Sequence, residues 1–168
     1  MVLTRCSMTG NKATPGTGKK SYGGAIYGSI SASSPTAPNI VCVNCTIDNN
    51  ENALHFKDYA KVVLANCTVV NNKNNSIDKR YGLNVEGNAT VYVLGSVFFG
   101  NQDASGAVNS YQGIVTDSAK VYGDFTIANF SGSGSVSWSS KMGPIPSVLG
   151  VSPSKYFYTW SSSLPTIE

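Results

Sequence analysis

Residues 53–72 recur on either side of themselves, and this repetition limits the fold more than any other property of the chain. Moved 29 residues forward, Leu54 falls on Leu83, Phe56 on Val85, Ala60 on Ala89, Val62 on Val91, Leu64 on Val93, Cys67 on Ser96 and Asn72 on Asn101. Moved 22 back, Val62 falls on Ile40, Leu64 on Cys42, Asn66 on Asn44, Cys67 on Cys45, Thr68 on Thr46 and Asn72 on Asn50. A period of about 20 to 50 residues belongs to solenoids, propellers and arrays, whose single units cannot bury their apolar faces alone.

Within each unit the apolar residues alternate with period two in three short bursts: Leu54 and Phe56, Val62 and Leu64, Cys67 and Val69. That period marks strands with one face inward. Three such strands close a core only when units stack, each strand pairing with its equivalent one repeat along at about 4.8 Å. The expected fold is therefore all-β, a parallel β-helix of about four turns built from three sheets. Its inward columns read Ile26, Leu54, Leu83, Ile114; then Ile40, Val62, Val91, Val121; then Cys6, Cys45, Cys67, Ser96. A corner column of Asn11, Asn50, Asn72 and Asn101 predicts a ladder of side-chain amides bonded from turn to turn. Turn three spans 81–101 and turn four 105–130, the last keeping Ile114, Thr116, Ala119, Val121 and Ile127 in register with a one-residue deletion near Gly123. Cys6 and Asn11 already match Cys45 and Asn50, so the chain is expected to start in mid-repeat. The partners this implies at the open N-terminal end are other subunits or the remainder of a longer chain.

These columns resemble the pectin-lyase-like superfamily of parallel β-helices over about residues 2–130. Gly23-Gly24-Ala25-Ile26 and Phe98-Phe99-Gly100-Asn101 are similar to the GGAI and FxxN repeats of polymorphic outer-membrane adhesins. The resemblance, with the general chirality of parallel crossovers, implies a right-handed helix. It also implies an extracellular or virion-surface setting, as in phage tailspikes, and a polysaccharide as the ligand. The expected domains are a β-helix over 1–130 and a Ser/Gly/Pro-rich tail over 131–168. The tail ends in Tyr156-Phe157-Tyr158-Thr159-Trp160 and reads as a cap or subunit contact.

Other classes are excluded more simply. No run of 18 apolar residues exists, so no membrane-spanning helix is expected, and residues 1–5 lack the pattern of a signal peptide. A net charge of +3 with 12% charged residues is too small and scattered for a nucleic-acid partner. Lys19 and Lys20, and Lys79 with Arg80, fall in predicted loops. There is no phosphate-cradling glycine loop, zinc cluster or nucleophile elbow, and with one histidine no metal or other cofactor is expected.

Cys42 and Cys45 spell CxxC, but Cys42 aligns with Leu64 and Cys45 with Cys67, both inward columns. The thiols read as small buried packing groups, with a Cys45–Cys67 disulfide left open. On the first sheet the outward rows are Tyr27, His55, Asn84, Val115 and Ser29, Lys57, Glu86, Asp117. Glu86 and Asp117 on adjacent turns fit the roughly 5 Å carboxylate spacing of a retaining glycosidase. His55 and Lys57 offer a base beside a charged clamp, and a simple Lys57–Glu86 charge ladder accounts for the same residues. His55 is expected at the surface. A second exposed row, Val63, Tyr92, Tyr122, presents rings on adjacent turns, making Tyr27, Tyr92 and Tyr122 the glycan-binding candidates. Asn44-Cys45-Thr46, Asn66-Cys67-Thr68 and Asn88-Ala89-Thr90 match the glycosylation triplet, the first two as by-products of the corner repeat. The functional expectation is a rigid structural or adhesive module that binds glycan. The alternatives are a polysaccharide-degrading enzyme and a virion or filament building block without a glycan ligand.

Overall fold

The computed structural model describes residues 1–13, 22–31, 38–74, 82–103, 105–107, 112–124, 126, 128 and 130–138. All regular structure among them is strand, in three parallel sheets that the chain visits in rotation. The strands begin with β1 (Val2–Thr4), β2 (Ser7–Thr9) and β3 (Ile26–Ile30), then β4 (Ile40–Val43), β5 (Thr46–Asp48) and β6 (Leu54–Asp58). They continue as β7 (Lys61–Ala65), β8 (Thr68–Val70), β9 (Leu83–Val85), β10 (Thr90–Leu94), β11 (Val97–Phe99) and β12 (Gly113–Val115). The last are β13 (Lys120–Asp124), β14 (Phe130–Ser131) and β15 (Ser135–Trp138). Sheet A has the order β1-β4-β7-β10-β13-β15, sheet B β2-β5-β8-β11 and sheet C β3-β6-β9-β12-β14. Each strand thus pairs with the strand three places on for most of the chain, an arrangement compatible with the β-helix read from the repeat.

The register follows the expected columns through three passes: Ile40, Val62, Val91 and Val121 pair in line in sheet A, and Ile26, Leu54 and Leu83 in sheet C. The fourth pass corrects the sequence reading. Gly113, not Ile114, faces Leu83, and Val115 faces Val85. Thr90 pairs with Lys120 at the same offset, and the Ser96 amide reaches Thr126 Oγ1 at 3.4 Å, so no deletion is needed near Gly123. Val115 is therefore buried and Ile114 turns outward. Strands also continue beyond residue 130, since β14 and β15 extend sheets C and A. Tyr156–Trp160, and the Lys19–Lys20 and Lys79–Arg80 pairs, lie outside the described residues.

Three corner columns turn the chain between sheets, and each holds backbone in the left-handed region. Asn44, Asn66 and Gly95 form one (φ 54°, 51° and 55°), Asn49, Asn71 and Gly100 the next (55°, 53° and 65°), and Asp58, Gly87 and Asp117 the third (59°, 70° and 59°). Asparagine, aspartate and glycine tolerate this conformation best, which explains their abundance. At Gly95 the choice is steric as well, because a Cβ there would stand 2.5 Å from Asn66 Oδ1 one pass below.

Inside, the predicted amide ladder is present. Asn11, Asn50 and Asn72 each donate from Nδ2 to the Oδ1 of the next asparagine at 2.9, 3.0 and 2.9 Å, and their backbone N–H groups donate to the same oxygens. Asn101 ends the series on Gln112 Oε1 at 2.9 Å. The cysteine column is a second ladder rather than plain packing. Cys45 and Cys67 donate to the carbonyls two residues back and to those of Leu3 and Cys42, and Ser96 and Thr126 make the same two kinds of bond with their hydroxyls. Thiol and hydroxyl exchange freely there because the corner needs a short side-chain donor.

All four cysteines are free. Burial, and then the neighbouring thiols Cys67 and Cys45, push Cys42 from an ordinary 9.0 to about 12, and burial raises Cys67 as well. Below pH 9 both folded and unfolded chains keep the Cys42 proton. Above it only the unfolded chain releases it, so this thiol's share of the stability is lost as pH climbs from 9 toward 12, by at most about 4 kcal/mol. Cys42→Val, which suits a column shared with Leu3 and Leu64, is expected to flatten that loss. Urea midpoints at pH 7, 9.5 and 11 check it, and equal slopes for both proteins would contradict the assignment.

Candidate functional site on the outer face of sheet C

The connections into sheet C are long before β3 (residues 10–25), β9 (71–82) and β12 (100–112), but short before β6 (49–53). The strand that carries His55 thus has the briefest approach, between two long ones. Insertions gathered on one side of a stacked fold commonly mark its binding face. Alternation along β3, β6 and β9 turns Tyr27, His55 and Asn84 to the outside in one row, and Ser29 and Lys57 in the next. Glu86, just past β9, stands beside them; its amide bonds the Phe56 carbonyl at 3.0 Å.

His55 faces outward as expected but is not at the surface: it is 1% exposed. The Tyr22 ring meets it edge-on at 4.6 Å, Tyr27 lies at 5.6 Å, and Glu86 Oε1 is 2.9 Å from Nε2. Asn84 Nδ2 sits 3.2 Å from Nδ1. Asn84 Nδ2 is also 3.3 Å from Nε2, so it lies against the ring between the two nitrogens, while the Glu86 carboxylate accepts from Nε2–H. The enclosed ring is held in place by these neighbours.

The charge ladder expected between Lys57 and Glu86 takes another form. Lys57 Nζ stands 3.7 Å from Asp58 Oδ2, while Glu86 turns to His55. Tyr27 first, and then Asp58, hold the Lys57 ammonium above its ordinary value. Ser29 donates to Asp58 Oδ2 at 2.5 Å. Asp117 does not share a row with Glu86: the one-place correction in the fourth pass sets it opposite Gly87, whose N–H it accepts at 3.1 Å. Its carboxylate caps a corner, so Glu86 and Asp117 do not form the facing pair that glycoside cleavage requires.

The tyrosines divide. Tyr27 is 46% exposed and tilts toward Tyr22 at 5.9 Å, leaving an aromatic surface beside Lys57. Tyr92 and Tyr122, on sheet A, stack on each other at 5.3 Å and 19°. One face of each ring is already covered, and they are not the open platform anticipated from sequence. Among the described residues, no group of three or more His, Cys, Asp or Glu is placed to hold a metal, and no helix is long and apolar enough to cross a membrane. Tyr22 escaped the sequence reading, although an aromatic residue closing a long connection just before Gly23-Gly24 was a usable signal. No protein-family model, curated protein or solved structure matches the chain.

Proposed function

We propose that the chain is a right-handed parallel β-helix of the pectin-lyase-like kind, about four turns long, serving as a rigid structural or adhesive module at an extracellular or virion surface. Its ligand is a glycan, held on the outer face of sheet C by Tyr27 and Lys57. The observation that carries this reading is the exposed Tyr27 ring beside Lys57, braced from behind by the enclosed Tyr22–His55–Glu86 group. Aromatic faces beside hydrogen-bonding and charged groups suit the mixed apolar and polar surfaces of sugars. The open strand edge at β1 and β2 is where another winding, from a neighbouring subunit or the same polypeptide, stacks in this reading.

A glycan array probed with the whole chain tests the ligand. Binding is expected, and Tyr27→Ala is expected to weaken it about tenfold, or roughly 1.4 kcal/mol, in a chain that melting curves show is still folded. An array without a hit, or a Tyr27→Ala chain that binds as before, rejects the site. For the polysaccharide-degrading alternative the His55–Glu86 contact is the one favourable observation. Any depolymerase activity that vanished in Glu86→Gln at unchanged stability would revive it.

A further inference from the structure

The outer face of sheet A differs from the other two. Where sheet C turns Ser29 and Lys57 outward and sheet B mixes Thr46 and Thr68 with half-buried Val70, Val97 and Phe99, three adjacent strands of sheet A carry an apolar centre of Val63, Tyr92 and Tyr122. Tyr122 is 38% exposed in the middle of β13, and Leu94, beside Asp124 at the end of β10, is 39% exposed. On β13 this centre is flanked by Lys120 at one end and Asp124 at the other, about 13 Å apart along the strand. Neither makes an ion pair among the described residues; Lys120 is exposed, whereas Asp124 is half-buried, its Oδ1 enclosed and without a hydrogen-bond donor.

We propose that this face is where two copies of the chain associate, side by side, about a two-fold axis running along the direction in which the strands stack. That operation reverses each strand against its own equivalent and leaves its level unchanged. Tyr122 then meets Tyr122 of the second copy and Tyr92 its counterpart. Lys120 falls opposite the second copy's Asp124, and Asp124 opposite its Lys120. The patch is complementary to itself in charge at its two flanks, as a closed two-fold contact requires. A partner with either flank uncharged would leave the Lys120 and Asp124 charges unmatched.

The size of the face sets the strength. Six strands at about 4.8 Å and five residues at about 3.3 Å give roughly 480 Å² a copy. The total of roughly 950 Å² falls below the 1,200 Å² or so of stable interfaces, so the dimer is weak and reversible.

Sedimentation equilibrium of the whole chain from about 10 μM to about 1 mM tests this, over the range in which such a small interface fills. A monomer–dimer equilibrium is expected. Lys120→Glu and Asp124→Lys should each raise the dissociation constant at least about tenfold, and the double variant should recover most of the loss. Melting curves confirm that each variant is folded. Should Asp124→Lys not fold, Tyr122→Arg sets like charges face to face on the axis and is expected to abolish the dimer. A chain still monomeric at 1 mM, a trimer or longer series, or a double variant as weak as the single ones would overturn the proposal.

Discussion

Asn72→Ala is expected to leave the chain largely unfolded at room temperature. The Asn72 side chain is fully buried and makes four bonds. Its Oδ1 accepts from the backbone and side-chain nitrogens of Asn50, and its Nδ2 donates to the Ile47 carbonyl and to Asn101 Oδ1. Truncation strips a partner from two N–H donors of Asn50 and from the Ile47 carbonyl in a place water does not reach, while Asn101 Oδ1 keeps only the residue-72 backbone N–H. At about 1 to 3 kcal/mol for each unsatisfied group, the loss rivals the 5 to 15 kcal/mol that holds a typical domain together. Asn11→Ala is the control. Asn11 makes its amide bond to Asn50 at the exposed end of the same ladder, and its removal should cost about 1 kcal/mol. Urea titrations followed by circular dichroism compare the two.

That contrast also explains what the sequence disclosed. A ladder of amides needs one residue type in every pass, so Asn50, Asn72 and Asn101 stood out without any structure. The fourth pass slipped by one place because its inward position is Gly113, which carries no apolar signal, while Ile114 beside it does. Gln112 closes the ladder from the far side of the corner, eleven residues after Asn101 instead of a full period, so no column search could find it. The burial of His55 was equally hidden. Alternation gives the direction of a side chain but not what lies over it, and the cover here comes from Tyr22 at the end of a long connection. The Glu86–Asp117 pairing failed for the same reason as the fourth pass, a single residue of register.

Phe56→Ala is the second large effect, expected at about 3 to 5 kcal/mol. Phe56 is fully buried in the middle of β6, and the position above it on β3 is Gly28. A Cβ at Gly28 would lie 3.0 Å from Phe56 Cδ1 and 2.5 Å from Ile40 Cδ1. The ring therefore fills the room that the glycine leaves, and neighbouring strands held by their ladders cannot close in when it is removed. Gly28→Ala alone should destabilise by about 1 to 3 kcal/mol through crowding. In the Phe56→Ala background the added methyl enters the cavity, so the double variant should be more stable than the sum of the two losses by at least about 0.5 kcal/mol. Denaturant midpoints of the four proteins settle it, and strict additivity would mean that Gly28 and Phe56 do not share this space.

The stacking of equivalent residues from one pass to the next is tested most directly by nuclear magnetic resonance of the asparagine side-chain amides. In heavy water the amide protons of Asn50, Asn72 and Asn101 should outlast that of exposed Asn88 by orders of magnitude. They should also give cross-peaks in the order 50 to 72 to 101. Rapid exchange at all four, with no cross-peaks between these residues, would contradict the fold described.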